Sequence, residues 1–393
     1  MKYILPFVLG VVLVMKSSFA RAQGFESGES YLDSNNYVQY LPGNIPIVLS
    51  SPHGGYIEPD SIPDRDCDGC VYARDSYTQE LTMALREEIY NITGCYPYTV
   101  INLLHRKKFD ANRSIETAAD GNTDVEESWY TYHAFIDTAK ATIIENYGRG
   151  LFLDMHGHAH DIERIELGYL FTRSELQLSD EELNTADLID ETAIKQLVTD
   201  NSGELTCSEM IRSEHSLGEM LQVQGFPSVP SAAIPFPLDE EPYFNGGHNT
   251  VLHGSKNGGL VDAIQLEFNS DVRWDETLRN QLADSLALSL IQYIELHYFP
   301  GFATHYCLLP ELGIESEAPK EIIVYPNPTI SDLQLTAELG PCHITIHSLT
   351  GEIIFKQEWN GDPIDVSSIE SGSYILHFQN KQGKSFYSRI IKK

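Results

Sequence analysis

The chain is short of basic residues: 26 Lys and Arg stand against 57 Asp and Glu in 393 residues, a formal net charge of −31. That imbalance argues against nucleic acid or an anionic membrane as partner, because such polyanions are held by cations that displace their counterions. Long apolar runs are scarce as well. The one unbroken run, Ile4 to Met15, is shorter than the roughly 20 residues that span a bilayer. With Lys2 before it and Ala20-Arg21-Ala22 after it, the run reads as a signal peptide over residues 1–22, cleaved before Gln23, so a secreted or cell-surface protein is expected. Cysteines number only six. In an oxidising compartment that even count favours disulfides, and Cys67 and Cys70 are close enough to close a short loop. A zinc knuckle is the rival reading of that pair, but no second pair follows at metal spacing. Solenoid repeats are absent.

The length exceeds one ordinary domain, and two rhythms divide it. From residue 45 to about 297, apolar runs of strand length alternate with amphipathic segments of helix length, the pattern of an α/β fold with a mixed, mostly parallel sheet and helices on both faces. Ile45 to Leu49 reads as a strand, Asp75 to Tyr90 as a helix through Leu81, Ala84, Leu85 and Ile89, and Tyr98 to Leu104 as a strand. Trp129, Tyr132, Ile136, Ile143 and Tyr147 form a second helical stripe that Gly148 ends. Leu151-Phe152-Leu153 reads as a buried strand and Glu276 to His297 as a closing helix. Leu176 to Leu221 reads as helices and loops on the rim of the sheet, Pro227 to Pro242 as a mobile loop. After a linker at 313–320 the rhythm becomes short alternating strands with turns at Thr350-Gly351, Asn360-Gly361 and Gln382-Gly383, a small antiparallel β-sandwich over residues 321–393. That segment carries 8 Asp and Glu against 6 Lys and Arg, so nearly all of the net charge lies before it.

Four polar clusters interrupt the α/β part: Pro52-His53-Gly54-Gly55, Asp110-Ala111-Asn112-Arg113, Asp154-Met155-His156-Gly157 and Gln265-Leu266-Glu267-Phe268. Open α/β sheets bind ligands beyond the carboxyl ends of their strands, and all four clusters fall near such ends. A zinc hydrolase needs about three nitrogen or oxygen ligands and one open position. His53 and His156 supply two, and Glu58 or Asp75 can supply the third. Arg113 offers a planar fork for a carboxylate, with Asn112 beside it. Glu267, flanked by apolar neighbours, is expected to have a raised pKa and to act as general base. Asp154 can orient a ligand. Gly157 and Ala159 suggest a loop, so His158 and His160 read as rim residues.

These clusters, with Asp75 opening a helix, Phe109 before Asp110, and Gly246-Gly247-His248, resemble the N-formylglutamate amidohydrolase family over roughly residues 45 to 297. The resemblance implies a zinc carboxypeptidase-like fold for residues 23–312, a Zn2+ cofactor held by His53, Asp75 and His156, substrate binding by Asn112, Arg113, His248 and Thr250, and Glu267 and Arg113 as catalytic residues. It implies hydrolysis of a formyl-type N-acyl or peptide amide next to a free carboxylate in a small acidic substrate. A true carboxypeptidase is the alternative enzyme, and a surface-attached binding protein without catalysis the alternative class. Val324-Tyr325-Pro326-Asn327-Pro328, Ser348-Leu349-Thr350-Gly351-Glu352 and Gly372-Ser373-Tyr374 resemble the C-terminal sorting domain of the type IX secretion system of Bacteroidetes, which implies that machinery as a partner.

Overall fold

The structure, a computed structural model, describes residues 24–201, 205–300, 302, 324–325, 329–335, 342–348, 353–380 and 385–393. The expected signal peptide and linker lie outside the described residues. Eight strands form one mixed sheet: β1 (Tyr31–Leu32), β2 (Val38–Leu41), β3 (Ile47–Ser51), β4 (Tyr98–Asn102), β5 (Gly150–Gly157), β6 (Ile165–Gly168), β7 (Ser228–Val229) and β8 (Val261–Phe268), in spatial order β1-β2-β4-β3-β5-β8-β6-β7. The central strands β4, β3, β5 and β8 are parallel, while β2 and β6 join them antiparallel. Parallel neighbours need long crossovers. The helix Thr78–Thr93 supplies one between β3 and β4, and Thr123–Tyr147 another between β4 and β5.

Side chains alternate across the sheet. Leu151, Leu153 and Met155 of β5 enter one core and Phe152 the other, as Leu266 and Phe268 of β8 oppose Ala263. Both faces are apolar because both are covered. Thr78–Thr93 and Glu276–His297 bury Leu81, Leu85, Leu286 and Leu290 in the first core, and Thr123–Tyr147 buries Val125, Tyr132, Ile136 and Ile143 in the second. That last helix starts at Asn122, whose side chain accepts from the amides of Asp124 and Val125, and stops at Gly148 in the left-handed region, φ 79°, where glycine carries no steric penalty.

Three expectations for the α/β part change. The helix read from Asp75 begins at Thr78 instead, because Asp75 is held back by its own amide, which donates to the His53 carbonyl at 3.0 Å. The 176–221 stretch is indeed short helices, yet Leu183, Met210, Leu217 and Leu221 are fully buried in the core that β5 feeds, so it is part of the body and no rim insertion. Within the proline-rich loop, Ser228 and Val229 extend the sheet by pairing with β6.

β4 lies on one side of β3 and β5 on the other, although the chain runs β3, β4, β5. Such a reversal opens a crevice at the carboxyl ends of β3 and β5, where His53 and His156 stand. The loop carrying His53 passes so close to the end of β4 that a Cβ on Gly55 would sit 2.2 Å from the Leu104 carbonyl oxygen.

The C-terminal part is antiparallel. β9 (Val324–Tyr325), β10 (Asp332–Leu335) and β13 (Ile364–Asp365) make one sheet, and β11 (Cys342–Ser348), β12 (Ile353–Trp359), β14 (Gly372–Asn380) and β15 (Ser385–Lys392) the other. Leu333, Ile344, Ile364, Leu376 and Ile390 share one core drawn from both sheets, so the sandwich is realised. Asn360-Gly361 makes no hairpin: there the chain leaves β12 and crosses to β13, which pairs with β10.

Because the atoms around Gly55 are main chain and cannot step aside, Gly55→Ala is expected to destabilise the protein by about 1–3 kcal/mol. Urea unfolding of parent and variant measures the difference, and an unchanged midpoint would mean that the loop shifts freely.

Candidate functional site

Asp154, His156, Gln265 and Glu267 alternate with the core residues of β5 and β8, so all four point toward the face that Thr123–Tyr147 covers. Register sets Asp154 beside Gln265 and His156 beside Glu267. His53 comes in from the loop after β3, and Asp75 from the turn before Thr78. His53 Nδ1 and His156 Nδ1 lie 3.3 and 3.2 Å from the same oxygen, Asp75 Oδ2, which also accepts from the Gly157 amide at 3.1 Å. All three side chains are buried, and their ligand atoms lie within 4.8 Å of one another.

Each ring is gripped from behind. His53 Nε2 is 2.6 Å from Asp110 Oδ1, and His156 Nε2 is 2.7 Å from Asp154 Oδ2. A carboxylate at Nε2 takes the ring hydrogen there and leaves the lone pair on Nδ1. Two imidazole lone pairs and a carboxylate oxygen converging on one point are a donor set that suits a zinc-like cation, so the residues present fit one. The carboxylates are braced in turn. Asp110 Oδ2 accepts from Arg106 Nε at 3.0 Å and faces Arg65 Nη2 at 3.7 Å; Asp154 Oδ1 accepts from the Ser50 hydroxyl; Arg106 Nη1 reaches Asp75 Oδ1 at 3.4 Å.

The charges are strongly coupled. Burial alone would raise the Asp75 and Asp110 carboxyls, but the facing His53, with His156 for Asp75 and Arg106 for Asp110, holds both well below the usual range. Burial would lower His156, yet Asp154 and Asp75 hold it well above its ordinary value. Glu267 behaves oppositely. Burial pushes its carboxyl up to about 8, with Asp75 and Glu166 adding to the rise against His156. Its Oε1 accepts from Gln265 Nε2 at 2.9 Å, while Oε2 is buried with no hydrogen-bond partner.

Glu58 lies apart from this triad: its side chain is 42 % exposed and ion-paired with Lys107 at 2.6 Å. Asn112 is buried, its Oδ1 accepting from the Asn249 amide at 2.7 Å and its Nδ2 standing 3.2 Å from His156 Nε2. Thr250 is also buried, its hydroxyl 3.4 Å from Gln265 Oε1. Both therefore brace the site from within. Gly247 passes between them, where a Cβ would come within 2.5 Å of Asn112 Nδ2. Arg113 and His248 are half-buried. Arg113 Nη1 donates to the Asn112 carbonyl at 2.8 Å, and burial together with the Arg113 charge lowers the His248 pKa. His158 is buried rather than on the rim, and the backbone takes both its nitrogens: Nε2 donates to the Arg164 carbonyl at 2.8 Å, and Nδ1 accepts from the His160 amide at 3.2 Å. His160 is partly exposed, bonded to Glu166 at 3.0 Å and stacked on Phe244. Cys67 and Cys70 form a disulfide and Cys207 is a buried free thiol.

Sequence reasoning assigned no role to Asp110, Arg106, Arg65 or Arg273. Arg273, buried, donates to the carbonyls of Phe268 and His158 at 2.9 and 2.8 Å and so ties the ends of β5 and β8 together. Its position on a short helix gives no periodic signal of this.

Residues 323–393 match the family described as the secretion system C-terminal sorting domain. No curated protein matches the chain. Among solved structures, the chain is similar to an N-formylglutamate amidohydrolase from Ralstonia eutropha JMP134, at 14% identity and TM-score 0.42 over 66% of this chain and 97% of that one. It is similar to a succinylglutamate desuccinylase from Vibrio parahaemolyticus at 13% identity and TM-score 0.30, over 83% and 93%. PorZ, a type IX secretion component of Porphyromonas gingivalis, aligns at 19% identity and TM-score 0.17 over 18% of this chain and 11% of that one.

The couplings predict how stability varies with pH when the protein is stripped of metal. An unfolded Glu267 ionises near pH 4.3, whereas the folded one keeps its proton to about pH 8, so stability is lost as pH rises through that interval. His156, raised in the fold, adds a loss above about pH 6.5; Asp75 and Asp110, depressed in the fold, cause loss below about pH 4. Histidines that burial depresses, His133, His158 and His297 among them, cost stability in the opposite direction as pH falls below about 6.5, so Glu267 is read against its own variant. In urea unfolding of chelator-treated protein, the change in midpoint from pH 5 to pH 8 should be less unfavourable in Glu267→Gln than in the parent. Equal changes in parent and variant would contradict the buried, protonated Glu267.

Proposed function

We propose that the α/β part of this chain is a secreted zinc-dependent amidohydrolase, cleaving a formyl-type N-acyl or peptide amide next to a free carboxylate. The observation that carries the reading is the convergence of His53 Nδ1, His156 Nδ1 and Asp75 Oδ2 beside a buried Glu267 whose Oε2 has no hydrogen-bond partner. Zinc at that point supplies a Lewis acid that polarises a carbonyl and acidifies water.

The chain's own residues do the rest. Glu267 Oε2 is the acceptor for the proton of the attacking water and returns it to the nitrogen as the C–N bond breaks. Burial favours its neutral form, and cationic charge at the triad restores the carboxylate that a base needs. Gln265 fixes the other oxygen, so that Oε2 alone is presented. Asp110 and Asp154 hold the two rings in the required tautomer. Arg113 binds the substrate carboxylate, with Asn112 and Thr250 behind it, and His248 contacts the substrate beside it.

The C-terminal sandwich is the sorting module, which accounts for secretion or display at the cell surface through the type IX machinery. In this reading residues 1–22 are the signal peptide and 313–320 the linker.

Three substitutions test the assignment. His53→Ala and His156→Ala should abolish both activity and bound metal, since two ligands hold zinc poorly against water; full zinc content by elemental analysis in either variant would overturn the ligand set. Arg113→Lys keeps the charge but loses the fork. Steady-state kinetics should show a steep fall in kcat/KM on substrates with a free carboxylate and little change on their amide-blocked counterparts. An equal fall on both would make Arg113 structural.

A further inference from the structure

The helix Thr123–Tyr147 places Trp129, His133 and Asp137 one turn apart on one face. Trp129 Nε1 donates to the Arg113 carbonyl at 3.0 Å, and its ring centroid lies 4.2 Å from that of His133. His133 is buried, with Nδ1 2.9 Å from Nε2 of the buried His253. His253 Nδ1 faces Asp137 Oδ1 at 3.5 Å, a charge contact short of a formed hydrogen bond. On the opposite side the ring centroid of His133 stands 6.0 Å from that of His248, and the Nε2 atoms of both rings are buried without a hydrogen-bond partner.

The tautomers follow from the order of these contacts. The Asp137 carboxylate favours hydrogen on His253 Nδ1, which makes His253 Nε2 an acceptor. The hydrogen between the two rings then belongs to His133 Nδ1, and His133 Nε2 is left with a lone pair. Burial keeps both rings neutral, moving His133 down to about 3 and lowering His253 as well, with Lys140, Asp154 and His248 the other charged or titratable groups near them. A buried lone pair without a donor is costly, and His248 Nε2 is a nitrogen with the same deficit. A hydrogen on His248 Nε2 directed at His133 Nε2 would satisfy both.

We propose that Asp137, His253 and His133 are a positioning relay that fixes His248 with hydrogen on Nε2, so that His248 Nδ1 accepts the N–H of a secondary amide in the substrate held by Arg113. This rests on the amidohydrolase reading of the site and narrows its substrate class to amides that carry an N–H. An acceptor placed for that hydrogen discriminates against an analogue that lacks it.

The test compares an N-formyl amino acid with its N-methyl counterpart on the full, zinc-loaded chain. The parent should prefer the N–H substrate, and His133→Phe, which keeps a ring against Trp129, should erode that preference about tenfold or more. Asp137→Ala, at a side chain 67% exposed, should erode it in the same direction while the protein folds normally. A packing role would lower both substrates equally and leave the ratio unchanged, which would overturn the relay. Nitrogen-15 NMR of the imidazoles gives a reading independent of turnover: His133 and His253 should both carry hydrogen on Nδ1, and Asp137→Ala should shift them toward the Nε2 form. Hydrogen on His133 Nε2 in the parent would refute the proposal. If the parent cleaves neither substrate, the amidohydrolase reading fails, and the tautomers still decide whether the relay exists.

Discussion

One oxygen of Asp75 sits between two imidazole nitrogens and a backbone amide, and much of the first half of the chain is arranged to keep it there. A carboxylate taken out of water costs several kcal/mol unless it is partnered on every side. Here the Gly157 amide and Arg106 donate to it, and His53 and His156 flank it with the nitrogens that converge on the proposed cation site. His53 and Asp75 are separated by a loop whose closure has its own entropy. Arg65 helps close it from inside: buried, it donates to the carbonyls of Arg106, Thr117 and Val71, packs on Cys70 of the disulfide and faces Asp110. The same side chain thus ties the loop to the carboxylate that orients His53, so loop geometry and ring geometry cannot vary separately.

Glu267 is built on the reverse principle. It shares a face of the sheet with Asp154 and His156, but its outer oxygen has been left without a partner in a buried setting. Asp110 and Asp154 have partners at both oxygens, whereas Glu267 Oε2 has none, and a buried polar atom left so is costly. Its raised pKa and the depressed one of Asp75 come from one cluster, and such a divergence between neighbouring carboxyls separates a group that holds charge from a group that moves a proton.

Much of this was legible in the sequence. Amphipathic stripes located the helices Thr123–Tyr147 and Glu276–His297, and apolar runs located β3, β5 and β8, because a sheet covered on both faces must be apolar at consecutive positions. His53, His156 and Glu267 stood out since each interrupts or ends such a run. Asp110 stood out only as a member of a polar cluster, without its role, and Arg106, Arg65 and His133 did not stand out at all, because what they do depends on which side chain the fold brings opposite them, and no spacing along the chain encodes that. Asn112 is an instructive case: beside Arg113 it reads as part of a carboxylate clamp, and only the fold shows its amide turned onto Asn249 and His156. The Leu176 to Leu221 stretch misled for a related reason. Its short capped helices break the long periodicity that signals burial, although their leucines fill the core.

The net charge constrains how such a site can choose its substrate. An acidic ligand approaching a chain of charge −31 gains nothing from long-range attraction, and beyond roughly 8–10 Å the field is screened in any case at physiological salt. Under the proposed function, selection for a carboxylate must therefore act at contact. Arg113 is the cation available for it, beside the half-buried His248, and its effectiveness depends on rigid placement rather than on charge alone. The backbone of Arg113 is held by Trp129, and the ring of His248 lies against the face that Trp129 and His133 present. One helical stripe, Trp129 to Asp137, thus underlies both proposed contacts to the substrate, while β5 and β8 underlie the proposed metal site and base. Binding and chemistry rest on different elements of the fold, which allows substrate preference to change without disturbing the triad.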